Sequence, residues 1–194
     1  MKPSLIIIGL GNPGASYERT RHNAGFLAVD ELSGAFGAGE WGTKQKFQSL
    51  AQEARVLTAP ILLIKPQTYM NLSGQAVRKV IDFYHLDPKK QLLVISDDVD
   101  IPLETLRFRE SGGPGTHNGM KSLVEQFGEG FPRFRIGIGP LPSGQDLAAW
   151  VLSRFSQEEE EKLRVVLAQV PEHVRKFVMG ENLVTPARPC RSDG

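Results

Sequence analysis

Cysteine is almost absent from this chain: Cys190, close to the C-terminal Gly194, is the only one. A disulfide framework and a Cys-rich metal site are thereby excluded within the chain, and a reducing compartment is its natural setting. An excess of charge of either sign is also lacking. The 23 Lys+Arg stand against 22 Asp+Glu, a formal net charge of +1. That excludes a protein held to nucleic acid by bulk charge, though not a local basic patch, because phosphate binding needs only a few well-placed cations. No apolar run reaches the ~18 residues of a membrane span, so no membrane partner is expected. Met1-Lys2-Pro3-Ser4 leads straight into a strand-like run, without the apolar core and cleavage site of a secretory signal, and a cytoplasmic location is expected. Internal repeats are lacking too. What remains is an ordinary globular balance, 40% hydrophobic and 23% charged in 194 residues, enough for one domain around one core.

Apolar periodicity places the elements. Residues 5–8 are apolar and β-branched, a buried strand running into the turn Gly9-Leu10-Gly11-Asn12-Pro13-Gly14. Ala28, Val29, Leu32 and Phe36 keep helical spacing and predict a helix over 24–36. The Gly-rich stretch 34–46 reads as loop, and strand-like runs follow at 47–51 and 60–65. Val77, Val80, Ile81 and Tyr84 stand at i, i+3, i+4 and i+7 of an amphipathic helix closed by 85–88. Residues 92–96 form a second buried strand that ends in Asp97-Asp98-Val99-Asp100. Residues 105–109 alternate, and so do 133–139, with Phe134, Ile136 and Ile138 opposite Arg133 and Arg135. Met120, Leu123, Val124 and Phe127 give another helical stripe. Ser156-Gln157-Glu158-Glu159 is a capping box opening the last helix, so the acidic run 158–161 complements a helix dipole. Pro171 is expected to kink or break that helix. Residues 1–184 therefore read as a single α/β domain, a twisted mixed β-sheet covered by helices, and 185–194 as a flexible tail.

Gly9-x-Gly11-x-x-Gly14 after a strand matches the dinucleotide-binding fingerprint letter for letter. Pro13 speaks against that reading, because it has no N–H where the pyrophosphate needs one. Residues 15–23 are also polar, not the apolar helix that the third glycine should pack. An NAD(P)-dependent oxidoreductase is disfavoured on both grounds.

The polar residues after the strands are more informative, since ligands of open α/β sheets bind beyond the carboxyl ends of strands. Asn12 and His22 follow the first strand, Asn71 the strand ending at Lys65, and Asp97 the strand 92–96. His117 and Asn118 lie in a glycine-rich loop. If these loops share one end of the sheet, the gathering is a hydrolase inventory. Histidine takes a proton from water near neutral pH. A carboxylate fixes its tautomer. Amides hydrogen-bond a developing oxyanion without adding charge. No serine or cysteine stands out as a nucleophile, so direct attack by water is the simpler scheme. No two-His spacing suggests zinc, and neither metal nor cofactor is expected.

Each residue alone also has a plainer role. Asn12 suits a turn before Pro13, and Asn118 suits a helix N-cap. Asp97, Asp98 and Asp100 suit a solvated turn, or a carboxylate metal cluster that lacks a spaced His. Arg107, Arg109, Arg133 and Arg135 suit a solvated strand face. His85 and His173 read as structural or surface residues. The residues alone leave His22 and His117 as equal candidates for the base.

The same stretches carry a family resemblance. Ile8-Gly9-Leu10-Gly11-Asn12-Pro13-Gly14, Tyr17 and Thr20-Arg21-His22-Asn23-Ala24-Gly25 resemble the N-terminal signature of the bacterial peptidyl-tRNA hydrolases. Pro66-Gln67-Thr68-Tyr69-Met70-Asn71-Leu72-Ser73-Gly74, Asp97-Asp98-Val99-Asp100-Ile101-Pro102, and His117-Asn118-Gly119 with Arg135-Ile136-Gly137-Ile138-Gly139 are similar to the later motifs, in order and register. The resemblance implies a monomeric, metal-free cytoplasmic esterase whose partner is tRNA, and which frees tRNA from peptides that left the ribosome early. It implies His22 as general base, Asp97 holding it in its basic form, and Asn12 probing the peptide beside the ester. It implies that Tyr17, Tyr69, Asn71, His117 and Asn118 line the site for the peptide and the 3′ end, and that Arg109 and Arg135 clamp tRNA phosphate. Guanidinium forks suit that task. Three departures stand out: Ser96 where some members have histidine, Thr116 in place of a small glycine that leaves the loop room, and no lysine in 140–146. A non-catalytic RNA-binding relative is the alternative, and it would need none of His22, Asp97 and Asn12.

Overall fold

The structure, a computed structural model, describes residues 2–183. The tail expected at 185–194, Cys190 included, lies outside the described residues. The strands are β1 (Leu5–Gly9), β2 (Gly37–Lys44), β3 (Ser49–Val56), β4 (Ala59–Pro66), β5 (Leu92–Pro102), β6 (Leu106–Arg109) and β7 (Arg133–Gly139). They join one seven-stranded sheet in the order β2-β3-β4-β1-β5-β7-β6. β1 runs parallel to both β4 and β5, and β7 runs parallel to β5, while β2, β3 and β6 pair antiparallel at the flanks. The expected mixed α/β sheet is therefore present. Its parallel centre sends the carboxyl ends of β1, β4 and β5 to one edge.

The helices are α1 (Ala24–Phe36), α2 (Ser73–Tyr84), α3 (Pro88–Gln91), α4 (Asn118–Phe127), α5 (Leu147–Val151), α6 (Gln157–Leu167) and α7 (Val170–Val178). They make a layer on each face. Leu5, Ile7, Leu93, Ile95, Phe134 and Ile136 pack with α1, α6 and α7. Ile6, Ile8, Leu62, Ile64, Leu92 and Val94 pack with α2 and α4. A strand buried on both faces has no polar face to show, so β1 reads as an unbroken apolar run.

α1 has the bounds that its periodicity predicts. α2 ends where His85 takes a left-handed conformation and its N–H returns to the carbonyls of Ile81 and Asp82. Three expectations need correction. Residues 37–44, read as loop, form β2, an edge strand. Its pairing with β3 is interrupted between Ala38 and Gly42, and it is largely exposed, so backbone pairing makes it a strand and no side-chain period announces it. β5 does not end before Asp97 but continues to Pro102, because β7 pairs with it past that point across an irregularity between Asp98 and Pro102. Pro171 does not kink a helix. It sits in the first turn of α7, where its missing N–H is not needed, after α6 has ended.

The glycines of the apparent nucleotide fingerprint serve packing. A Cβ on Gly9 would lie 2.3 Å from the carbonyl oxygen of Gly25, and one on Gly11 would lie 2.5 Å from the Phe26 ring. The first α-helix begins only at Ala24, so it does not open directly out of the glycine turn as the fingerprint requires. Gly25 itself lets α1 touch β5, since a Cβ there would meet the Ile95 carbonyl oxygen at 2.4 Å. Gly25→Ala is therefore expected to destabilise the protein by about 1–3 kcal/mol through overpacking. Urea denaturation measures this, and an unchanged midpoint would show that α1 can simply shift outward.

Candidate active site

The parallel centre of the sheet explains how residues distant in sequence meet. The loop after β1 carries Asn12 and then His22, which sits in a 3-10 turn (Arg21–Asn23) just before α1. The loop after β4 carries Tyr69 and enters a second 3-10 turn, Met70–Leu72, holding Asn71. Asp97 lies in β5, and the glycine-rich loop before α4 ends in His117 and Asn118. Asn12, His22, Tyr69, Asn71, Asp97, His117, Asn118, Arg109 and Arg135 all line one open cleft of about 1100 Å³. Tyr17 does not: it is half-buried in the turn after Gly14, where its carbonyl accepts from Thr20. Thr116 is exposed and does not crowd the loop.

Asp97 is the centre of the arrangement. It is 4% exposed, and its carboxylate meets His22 Nδ1 at 3.0 and 3.1 Å and His117 Nε2 at 3.0 Å. The hydrogen-bond network assigns both tautomers. His117 is the N-cap of α4, and its Nδ1 accepts from the backbone N–H groups of Gly119 and Met120, so its proton sits on Nε2 and is donated to Asp97. The N-cap foreseen for Asn118 is thus made by His117, and Asn118 is the first residue of the helix. His22 donates Nδ1–H to Asp97, which leaves the Nε2 lone pair on the far side of the ring. The two imidazoles stand with centroids 4.7 Å apart.

The electrostatics follow from burial and these partners. Burial pushes the His22 imidazole down, but the Asp97 charge and its hydrogen bond raise it further, to a net position above the ordinary 6.5. Burial pushes the Asp97 carboxyl up, yet the facing His117 and His22 hold it well below the usual carboxylate range.

Asn12 is held from both sides. Its N–H donates to Asn23 Oδ1 at 2.8 Å, and Asn23 Nδ2 donates back to its carbonyl at 3.0 Å. The Met70 N–H donates to Asn12 Oδ1 at 2.8 Å. With Oδ1 occupied, the Nδ2 amine is the end left to meet a ligand. Asn23 caps α1 with no side-chain bond because its amide is committed to Asn12.

Arginines form a second feature. Arg107 pairs across β6 and β7 with Arg135, and Arg109 with Arg133, and all four line the cleft. Like charges directly opposite one another destabilise a sheet, so a plain solvated face is a poor account of them. Arg133 is buried, stacks on Phe131 and donates to the carbonyls of Gly113, Glu129 and Phe131, which ties the glycine-rich loop to the loop after α4. Burial and then the neighbouring Arg135 bring it down to about 10. Arg135 donates to Asp98 at 2.7 Å. Burial lowers it, with Asp98 opposing the shift.

Sequence reasoning missed three residues that build this site: Asn23, Arg133 and Arg21. Arg21 and Asn23 stand inside the motif that flanks His22, but their roles were not legible, because the partners of all three are brought near only by the fold. Ligand-type atoms of His22, Asp97 and His117 lie within 4.8 Å of one another, a convergence that no sequence spacing announces. They face each other as donors and acceptor, and metal ligation by His117 Nε2 would turn its Nδ1–H against two backbone N–H groups.

The family model described as "Peptidyl-tRNA hydrolase" matches residues 6–187. The chain is 50% identical over 179 residues to a peptidyl-tRNA hydrolase of Chloroflexus aggregans, covering 92% of this chain and 94% of that one. It is 43% identical to one of Fusobacterium nucleatum, covering 92% and 91%. Among solved structures, peptidyl-tRNA hydrolase of Acinetobacter baumannii superposes with a TM-score of 0.86 at 33% identity, over 93% of this chain and 91% of that one.

The site makes a titration prediction. NMR titration of the His22 ring is expected to give a midpoint above 6.5 in the unaltered protein. In Asp97→Asn both raising causes are gone and burial remains, so the midpoint is expected below 6.5. An unmoved midpoint would show that Asp97 does not set the basicity of His22.

Proposed function

The chain belongs to the peptidyl-tRNA hydrolase family, and from that premise we propose how its cleft cleaves the ester joining a peptide to tRNA. His22 Nε2 takes a proton from water as that water attacks the ester carbonyl. Asp97 holds the imidazole in the tautomer that leaves Nε2 basic and stabilises the imidazolium that forms. Asn12 donates through Nδ2 to the peptide or to the developing oxyanion. The C–O bond to the ribose then breaks, and the imidazolium returns its proton to the departing ribose oxygen. Free tRNA and a peptide carboxylic acid result, the latter ionised at neutral pH.

The observation that carries this reading is the buried His22–Asp97 pair opening onto the cleft beside a doubly anchored Asn12. The cleft is somewhat larger than sites for drug-sized ligands, which supports a substrate with both a nucleotide end and a peptide. Tyr69, 60% exposed on its rim, offers a face for stacking, and Asn71, His117 and Asn118 add hydrogen-bonding groups. Arg109 and Arg135 fit the tRNA phosphates, with Arg107 beside them. A protein of net charge +1 thereby concentrates cations where the substrate lies. We further infer a monomer that acts in the cytoplasm without a metal. No helix among the described residues is long and apolar enough to cross a membrane. An RNA-binding relative without activity would have no use for a carboxylate buried between two histidines.

Release of N-acetyl-aminoacyl groups from tRNA, with the unblocked ester alongside, tests the reading. The blocked ester is expected to be cleaved in preference, and His22→Ala is expected to lower kcat about a hundredfold to ten-thousandfold. Tight tRNA binding with no cleavage by the unaltered protein would favour the RNA-binding alternative. Prolonged chelation is expected to leave turnover unchanged, and a loss restored by a divalent cation would overturn the metal-free scheme. Arg109→Ala and Arg135→Ala are expected to raise KM and to reduce the slope of log affinity against log salt by about 1 each. An unchanged slope would remove them from phosphate contact.

A further inference from the structure

Arg21 stands next to His22 in the chain and is 4% exposed. Its guanidinium lies 3.8 Å from the centroid of the Trp150 ring and 4.8 Å from that of Phe155. Its Nη2 donates to both carboxylate oxygens of Glu159, at 2.9 and 3.1 Å. The Arg21 backbone N–H donates to the Ser153 carbonyl, and Thr20 makes a β-bridge with Arg154. The segment it grips is one wall of the cleft. Trp150 belongs to α5, and Leu147, Ala148, Val151 and Leu152 from the same stretch line the cavity. Glu159 is itself fixed, because it closes the capping box of α6 with Ser156. Burial raises its carboxyl, but the Ser156 N–H and Arg21 lower it overall, so it stays ionised for the pair.

We propose that Arg21 is a positioning residue for the reaction: one buried guanidinium locks the turn that carries His22 to the α5 wall of the cleft, so the base and the surface that seats the substrate are held in a single register. The inference rests on the hydrolytic reading given above. Only Nη2 reaches Glu159, so it is the plane stacked between Trp150 and Phe155 that suits the task, and lysine has no such plane. His22 itself is faced by Asp97 from β5 and by His117 from the N-cap of α4, with Asn12 the neutral neighbour. Arg21 touches none of these and acts only by where it holds the turn. The steps of water activation need His22 within hydrogen-bond reach of both Asp97 and the ester, and small misplacements are costly there.

The test uses the full chain with Arg21→Met, Arg21→Lys, Trp150→Leu and Arg21→Met/Trp150→Leu, assayed on N-acetyl-aminoacyl-tRNA. In Arg21→Met, kcat is expected to fall about tenfold to a hundredfold and KM to rise, since the base and the wall lose register together. Arg21→Lys is expected not to rescue kcat. The double variant is expected to be little worse than Arg21→Met alone, because both changes break one contact. The NMR midpoint of His22 in the tRNA-free protein is expected to fall from its unaltered position as the ring drifts from Asp97. Unaltered kcat, KM and His22 midpoint in Arg21→Met, with only thermal stability lowered, would overturn the proposal. So would full rescue by lysine. If Arg21→Met does not fold, Glu159→Gln, which keeps the volume and removes the charge, is expected to change kcat, KM and the His22 midpoint in the same direction, and their constancy counts against the proposal. Failure of the unaltered protein to cleave the ester refutes the hydrolytic reading instead, and the His22 midpoint still decides the role of Arg21.

Discussion

A carboxylate buried in a sheet and shared by two histidines is the constraint on which the rest of this structure depends. Asp97 sits in β5 with its side chain almost wholly out of water. An ion there is tolerable only with geometry that compensates its lost hydration, and removing one partner of such a buried pair typically costs about 3–5 kcal/mol. Two neighbouring rings supply the compensation, both reaching Oδ1. His22 comes from the turn after β1, and His117 comes from the cap of α4. Each is in turn fixed by something else: His117 by two N–H groups at a helix start, His22 by the turn that Arg21 and Asn23 hold. The need to satisfy one charge thus orients a chain of elements, and the same chain leaves a single basic nitrogen turned away from it.

The arginines add a second electrostatic layer with a different logic. Arg133 is structural by every contact it makes, a buried cation spending its donors on one carbonyl of the loop that delivers His117 and on two of the loop that follows α4. Arg107 and Arg109 sit beside it on β6 without that burial, and Arg135 is shared with Asp98. One row of like charges therefore contains a structural residue and candidates for phosphate contact. Only accessibility separates them. Another part of the cleft lining is α5, which is short and is gripped by the stacked guanidinium of Arg21. A five-residue helix has little stability of its own, so its place depends on tertiary contacts such as that one.

Much of this was legible beforehand. The helix over 24–36, the amphipathic helix ending at His85 and the capping box at Ser156 all follow from local rules, and all are present. The strand-end argument gathered Asn12, His22, Asn71, Asp97, His117 and Asn118 correctly into one cleft, because parallel strands send their carboxyl ends the same way. Tyr17 was placed with them by resemblance and is not among the residues that line that cleft. β2 was missed because an exposed edge strand rich in glycine has no face to bury. Arg133 looked like a solvated residue because alternation records which side of a strand a residue occupies, not how deep that side lies.

The amino-acid sequence by itself determined the class of fold, the elements with strong periodicity, and the set of residue types that hydrolysis requires. These are properties of short windows, and short windows follow from backbone preference and burial of an apolar face. Tertiary structure alone decided which histidine keeps a free basic nitrogen, since that turns on two backbone N–H groups of α4 pointing at His117 Nδ1. It alone decided the partners of Arg21, Asn23 and Arg133, whose charges and amides are satisfied by groups far away in the chain. Hydrogen bonds act over about 3 Å, and nothing in a sequence says which distant atoms will come within that range until the sheet has closed around them.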